Sequence, residues 1–283
     1  MASTSTMTAI SVEGDNAIAP AYEVRLQLDP LAVLDAGRNL KSNVLSALGL
    51  PATATQMNVG FLDTSCTEIY NAGWCVRVCR VECSSGLKLT YERWSDITGE
   101  AIDEALTAAN ERGFKLNEKD HEIQVIWGHR TQTLAIRCNK EAGPTDGTGV
   151  DLPSTRDARR LLREQAPDQF DNWGCKKWGT TTLAATRFFG PVMVGRSIGD
   201  WEGMELQVEV WHVLDAEGTG LECIVEASFE TDDRVTAANE GTRLQQFLTG
   251  KGWFLAEDSS KTQLIMERYG CFPGLENTDL KEC

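Results

Sequence analysis

The chain has 283 residues, of which 41% are hydrophobic and 24% charged, and this is the composition of a globular protein with ample chain for a core. The formal net charge of −15 argues against a nucleic acid or an anionic membrane as partner, because both are bound through clustered lysine and arginine. No apolar run approaches the roughly 20 residues of a membrane span.

Nine cysteines are scattered along the chain without a CxxC pair, which disfavours a structural zinc site and predicts reduced thiols in a cytoplasmic protein. Residues 1–20 lack the basic start and the continuous apolar stretch of a secretory signal. We expect them to be a flexible leader, followed by a single domain over residues 21–283.

The first half of the chain alternates short strand patterns with helix patterns. The predicted strands are Tyr22–Leu28, Met57–Asp63, Gly73–Glu82, Leu87–Trp94, His121–Trp127 and Thr133–Asn139. The predicted helices are Asp29–Leu48, Thr98–Arg112 and Ser154–Gln165. The last two strands read as a hairpin, and Asp29-Pro30 reads as a helix start.

The second half is mostly strand. Residues 171–182 read as a loop, and a helix is predicted from Asp232 to Leu248. The predicted strands are Leu183–Phe189, Val192–Ser197, Met204–Leu214 and Leu221–Glu230. A short strand or helix ends near Tyr269. This order predicts an α+β protein with a mainly antiparallel sheet rather than an alternating βαβ fold.

Five of the predicted strands carry polar or charged residues at every second position, and therefore on one face. They are Glu23/Arg25/Gln27, Arg77/Cys79, Lys88/Thr90/Glu92, Glu205/Gln207/Glu209 and Glu226/Ser228/Glu230. On an open sheet these side chains form a solvated face without chemical meaning. In a closed barrel they line one interior, where charges must pair or bind a charged ligand. Five such strands favour the closed barrel.

The order of several short motifs resembles that of the CYTH family, the triphosphate tunnel proteins. The matching segments are Glu23–Gln27, Phe61–Thr64, Gly73–Cys79, Leu89–Glu92, Glu226–Glu230 and Ser260-Lys261. Together they span roughly residues 22 to 268. The resemblance implies a mainly antiparallel closed β-barrel, a tunnel, with helices packed outside.

The chain departs from the family's pattern at charged positions. Arg25 stands where the family has a Glu, Gln27 and Glu92 stand where it has Lys, Cys79 replaces an Arg, and Ser228 replaces a Glu. An arginine in place of a carboxylate disfavours a bound divalent cation there. The two charge inversions compensate if Arg25 pairs with Glu92 across the tunnel.

The resemblance implies which residues do the chemistry. Family members hold one or two Mg²⁺ or Mn²⁺ ions with carboxylates, and here the implied metal ligands are Glu23, Glu226 and Glu230. The implied catalytic residues are Glu23, Glu92, Glu226 and Glu230. The implied substrate-binding residues are Arg25, Arg77, Lys88, Arg187 and Lys261.

Three functions stay open. The first is metal-assisted phosphoanhydride hydrolysis of a phosphorylated or anionic small molecule. The second is a metal-independent tunnel enzyme in which carboxylates catalyse cyclisation, isomerisation or condensation of an organic substrate. The third is a non-catalytic binder of an anionic ligand. In each case the partner is a small molecule, not a nucleic acid or a membrane.

Overall fold

Ten strands form one sheet that closes on itself in the computed structural model, which describes residues 20–99, 101–114, 121–143, 149–258 and 260–271. The strands are β1 (Ala21–Leu28), β2 (Thr55–Asp63), β3 (Trp74–Val81), β4 (Leu87–Ile97), β5 (His121–Trp127), β6 (Gln132–Ala142), β7 (Arg187–Trp201), β8 (Met204–Leu214), β9 (Leu221–Thr231) and β10 (Phe254–Leu255). Their order around the sheet is β10-β1-β5-β6-β4-β3-β2-β7-β8-β9.

The described residues also form nine helices. They are α1 (Pro30–Val33), α2 (Ser42–Ala47), α3 (Glu68–Asn71), α4 (Ile102–Glu111), α5 (Thr155–Glu164), α6 (Asp168–Asp171), α7 (Trp178–Leu183), α8 (Arg234–Gly250) and α9 (Lys261–Cys271). None of the helices within the described ranges is both long and apolar enough to cross a membrane. The predicted leader lies outside these ranges except for Pro20.

Antiparallel pairing of β1 with β9 closes the sheet into a nine-stranded barrel, with Tyr22 opposite Thr231 at one end and Leu28 opposite Val225 at the other. Only the pairing of β1 with β5 is parallel among the described strands. The short β10 extends the edge of β1 where β5 ends. The predicted α+β architecture, a mainly antiparallel closed barrel with helices outside, is confirmed.

The barrel wall has apolar side chains on its outer face and both polar and apolar side chains on its inner face. Outward side chains such as Val24, Leu26 and Val208 belong to a buried core with Leu244 of α8. A second apolar cluster lies inside the barrel, where Ile265 and other residues of α9 meet the inward side chains of β2, β7 and β8. Because α9 fills one end, the polar inward residues surround a cavity toward the other end.

The predicted helix Asp29–Leu48 is wrong, since the structure has two short helices there. Asp29 starts α1 by accepting from the Leu31 N–H, as the sequence indicates. A turn then intervenes, in which the N–H of Asp35 donates to the Asn39 carbonyl and Arg38 adopts a left-handed φ of 63°. A helix cannot pass through such a residue, so α2 begins afresh at Ser42.

Two further boundaries differ from the prediction. Strand β7 runs unbroken from Arg187 to Trp201 through the Gly190-Pro191 dipeptide, which separates the predicted strands Leu183–Phe189 and Val192–Ser197. The register with β2 shifts beside this dipeptide, so the proline without an N–H lies at a bulge. The predicted loop 171–182 contains the end of α6 and most of α7, and the final segment is the helix α9.

Asp63, within the motif Phe61–Thr64, fixes the turn after β2. Its fully buried carboxylate accepts from the N–H groups of Thr64, Ile69 and Tyr70 at 2.7–2.9 Å. We expect Asp63→Ala to lower the free energy of unfolding by roughly 1–3 kcal/mol, because it leaves buried N–H groups without acceptors. Urea unfolding measures this. Asp151→Ala, at an exposed position, is the control, and equal losses in both variants would contradict the role given to Asp63.

Candidate active site

A polar cavity of about 680 Å³ occupies the open end of the barrel. Every one of the nine closing strands contributes at least one side chain to its wall. Six basic side chains line it: Arg25, Arg77, Lys88, Arg137, Arg196 and Lys261. Six acidic side chains line it: Glu23, Glu92, Glu122, Glu209, Glu230 and Asp232. The volume is that of a site for a small molecule.

Most of the residues implied by the resemblance meet in this cavity. Those that line it are Glu23, Arg25, Arg77, Lys88, Glu92, Glu230 and Lys261. Glu226 lines instead a smaller cavity of about 330 Å³ on the α9 side of the barrel. Arg187 lines neither of the two: it donates to the carbonyl oxygens of Phe188 and Tyr269 and lies 4.0 Å over the Phe189 ring.

Arg137, on β6, is the centre of an ion network inside the barrel. Its Nε donates to Glu92 at 2.9 Å, and its Nη2 lies 3.5 Å from Glu23. Arg25 hydrogen-bonds Glu23 at 2.8 Å, and Arg77 lies 3.5 Å from Glu92. The expected pairing of Glu92 with Arg25 across the tunnel is thus replaced by a bond from Arg137, which lies directly opposite Glu92 on the adjacent strand β6, while Arg25 bonds Glu23 on its own strand.

This network determines the charge state of two buried carboxylates. Burial alone would raise the pKa of Glu92, but Arg137 and Arg77 outweigh burial and lower it to about 2. Burial likewise opposes ionisation of Glu23, and Arg25 and Arg137 lower its pKa below the ordinary value. Both carboxylates are therefore ionised and neutralised by arginine at physiological pH.

A second ion network joins α9 to the barrel wall. Lys261, at the first position of α9, bonds Glu226 and lies 3.2 Å from Glu209, with its ammonium 4.5 Å from the centre of the Trp211 ring. Glu209 also pairs with Arg196 at 2.7 Å. Burial opposes the charge on Glu209, but Lys261 and Arg196 lower its pKa. Lys261 thus anchors α9 inside the barrel.

Glu230 differs from Glu23, Glu92 and Glu209 because no ion pair neutralises it within the described residues. Its carboxylate accepts from the Gln124 amide at 2.7 Å. Partial burial, and then the negative charge of Glu23 directly opposite on β1, raise its pKa above the ordinary value. Two facing carboxylates with pKa values displaced in opposite directions are typical of an acid–base pair.

The orientation of Gln124 follows from its two neighbours. The guanidinium of Arg137 can only donate, and it bonds the Gln124 carbonyl oxygen, so the amide N–H₂ must point to Glu230. Gln124 has only 6% of its surface exposed, which fixes this orientation further. One oxygen of Glu230 is occupied by the amide, while the carboxyl as a whole lines the cavity.

The donor groups of the barrel do not fit a resident Mg²⁺ or Mn²⁺ ion. Within the described ranges, no three carboxylate, histidine or cysteine side chains converge as a metal site requires. Glu23 and Glu226 each bond a cation of the protein, and Glu230 bonds an amide. The Arg25 guanidinium lies against Glu23, where it would repel a divalent ion.

Because the donor groups do not fit a divalent cation, we expect the protein to bind metal weakly, and one substitution to strengthen that binding. We expect Mn²⁺ to bind the protein no more tightly than millimolar, and Arg25→Glu to bind it at least about tenfold more tightly, because it adds a carboxylate beside Glu23 and removes a cation. Electron paramagnetic resonance of free Mn²⁺ measures this, with Arg38→Glu on the exposed turn as control. Tight binding by the unmodified protein would refute the charge argument.

Several residues of the cavity were not among the sequence candidates. Arg137 and Gln124 lie on the hairpin β5–β6, and Arg196 lies on β7. The same two-residue alternation marks them: Glu122 and Gln124 are separated by one residue, as are Arg137 and Asn139. The alternation is short on these strands: β5 carries two such residues, and β6 carries them only toward its end.

Comparison with known proteins gives structural relatives only. No protein-family model and no curated protein matches the chain. A putative adenylyl cyclase from Hippeastrum with a dominant triphosphatase activity matches with a TM-score of 0.53 and 16% identity, over 87% of this chain and 94% of that one. A putative adenylate cyclase from Bacillus halodurans matches with a TM-score of 0.45 and 11% identity, over 86% of this chain and 95% of that one.

Proposed function

We propose, from the premise that the chain has the CYTH-like tunnel fold predicted from its motifs, that it is an enzyme acting on an anionic organic small molecule. In this proposal Arg77 and Lys88 bind the anionic group, and Glu230 donates or accepts the proton. No resident divalent cation takes part. The observation that carries the proposal is that Glu230 faces the arginine-paired Glu23 inside the cavity and is itself bonded by an amide rather than by a cation within the described residues.

Arg77 and Lys88 are suited to bind an anion because part of their charge is unused. They lie on the paired strands β3 and β4, with Lys88 opposite Cys79 and Arg77 opposite Thr90. Lys88 has no ion pair within the described chain, and Arg77 has only its 3.5 Å contact with Glu92. Arg137 and Arg25, by contrast, are occupied by buried glutamates.

Glu230 is suited to proton transfer because its raised pKa brings it closer to neutral pH, where a group both accepts and donates protons. The neighbouring Glu23 remains ionised and paired with Arg25 and Arg137, so it does not compete with Glu230 for the proton. The resulting reaction class is proton transfer on an organic substrate, as in a cyclisation, isomerisation or condensation.

Phosphoanhydride hydrolysis is the second candidate. The Hippeastrum protein of the same fold has a dominant triphosphatase activity, and Arg77 and Lys88 would suit a phosphate group equally well. The cavity, however, carries as many acidic as basic side chains, whereas a triphosphate carries several negative charges and needs a surplus of cations.

A substrate panel with and without a chelator separates the two functions. Triphosphate, ATP, organic phosphate esters and organic carboxylates are incubated with the protein and followed by mass spectrometry. We expect conversion of an organic anion that persists in EDTA. Phosphate release from triphosphate or ATP that EDTA abolishes would instead support hydrolysis. Binding of an organic anion without conversion of any compound would support the non-catalytic binder.

A further inference from the structure

We propose that the substrate is amphoteric: it carries an anionic group that Arg77 and Lys88 bind, and a protonated amine that Glu122 and Asp232 bind. This inference rests on the proposed function, which places an organic anion in the same cavity. It adds a second charged group to that substrate and names the side chains that recognise it.

The charge balance of the cavity excludes a strongly anionic ligand as the best fit. Six acidic side chains stand against six basic ones in the wall. A ligand that carries only negative charge is attracted by the basic side chains but repelled by the acidic ones. A ligand with one charge of each sign meets opposite charges at both ends.

The side chains proposed to bind the two charged groups lie on separate parts of the wall. Lys88 and Arg77 lie on β4 and β3, while Glu122 lies on β5 and Asp232 directly follows β9. In the barrel order, β6 lies between β4 and β5, so Lys88 and Glu122 are two strand spacings apart. This is roughly 10 Å across the strands, and the register offsets the two residues by four positions, or roughly 13 Å, along the strands, so they are too far apart for a direct ion pair.

These charges are also not used elsewhere. Lys88, Glu122 and Asp232 form no ion pair or side-chain hydrogen bond within the described part of the chain, and all three are exposed at the open end of the cavity. Deeper in the barrel, almost every charge is paired. Among the described residues, the cavity therefore presents a cation and two carboxylates that no other side chain pairs with.

Matched probes test the inference without knowledge of the substrate. Caproate carries the anionic group alone, hexylamine carries the amine alone, and ε-aminocaproate carries both. Shorter ω-amino acids, down to glycine, vary the distance between the carboxylate and the amine. Binding is measured by ligand-observed NMR titration of the full chain. We expect the best ω-amino acid to bind roughly threefold to tenfold more tightly than the simple carboxylate or the simple amine of the same chain length.

Single substitutions assign each end. Lys88→Ala should weaken caproate and the ω-amino acid but not hexylamine. Asp232→Asn and Glu122→Gln should weaken hexylamine and the ω-amino acid but not caproate. Glu217→Gln, at an exposed position in the β8–β9 turn, should change none of them.

The outcomes distinguish this inference from the proposed function. If no ω-amino acid binds better than its single-ended counterparts, or if the acidic substitutions leave amine binding unchanged, the amphoteric substrate is refuted while anion binding at Lys88 stands. If caproate does not bind and hexylamine does, the anion-binding part of the proposed function is refuted as well.

Discussion

Arg137→Ala is expected to lower the free energy of unfolding by about 3–5 kcal/mol, because it leaves two buried carboxylates short of their counter-charge. Glu92 and Glu23 have 9% and 7% of their surface exposed, and Arg137 contacts both. Urea unfolding at neutral pH measures the loss. Arg160→Ala removes an exposed arginine that pairs with Glu164 on α5 and should change the free energy by less than about 1 kcal/mol.

The pH dependence of the same variant is a second readout. In the folded protein the pKa of Glu92 is lowered from 4.5 to about 2, so its stabilising effect is complete above pH 4.5 and is lost as the pH falls toward 2. Without Arg137 the carboxylate is protonated at a higher pH, which relieves the uncompensated charge. The difference between the two proteins should therefore shrink on acidification. A difference that stays constant from neutral to acid pH would contradict the network.

Glu230→Gln is expected to reduce turnover of a substrate found in the panel by about 10²–10⁴-fold, the usual contribution of a general acid or base. Substrate binding should change little, because the proposed binding groups are elsewhere in the cavity and glutamine keeps the shape. Stability should also change little, because no ion pair within the described residues involves Glu230. A KM effect without a kcat effect would place Glu230 in binding rather than in proton transfer.

Gln124→Leu serves as the companion variant. The amide hydrogen bond favours the charged form of Glu230, so its removal should raise the pKa of Glu230 further and shift the corresponding limb of the pH–rate profile upward. Glu217→Gln is the control for both variants. An unshifted profile in Gln124→Leu would show that the amide does not tune Glu230.

The sequence predicts the barrel interior well where polar residues alternate over several positions. Glu23 and Arg25, Lys88 and Glu92, and Glu230 all point inward as the two-residue period requires, since a strand has only two faces. The same alternation on five strands favours the closed fold, because a closed barrel gives their polar faces one shared interior.

The pairing inside the barrel could not be predicted in the same way. Arg25 and Glu92 lie on β1 and β4, and which of them meets which partner depends on the strands between them. Strands β5 and β6 lie between β1 and β4, and Arg137 of β6 donates a hydrogen bond to Glu92. Local pattern likewise missed the turn at Arg38, whose left-handed conformation is unusual for a residue with a Cβ.

A carbon-detected NMR titration of the glutamate carboxyl groups tests the central claim most directly, with Glu230→Gln, Glu23→Gln and Glu92→Gln used to assign the signals. We expect the carboxyl of Glu230 to titrate above the ordinary value of 4.5, and those of Glu23 and Glu92 to titrate below it. Glu230 titrating at or below 4.5 together with the other two would contradict the separation of the carboxylates, and with it the proposed role of Glu230 in proton transfer.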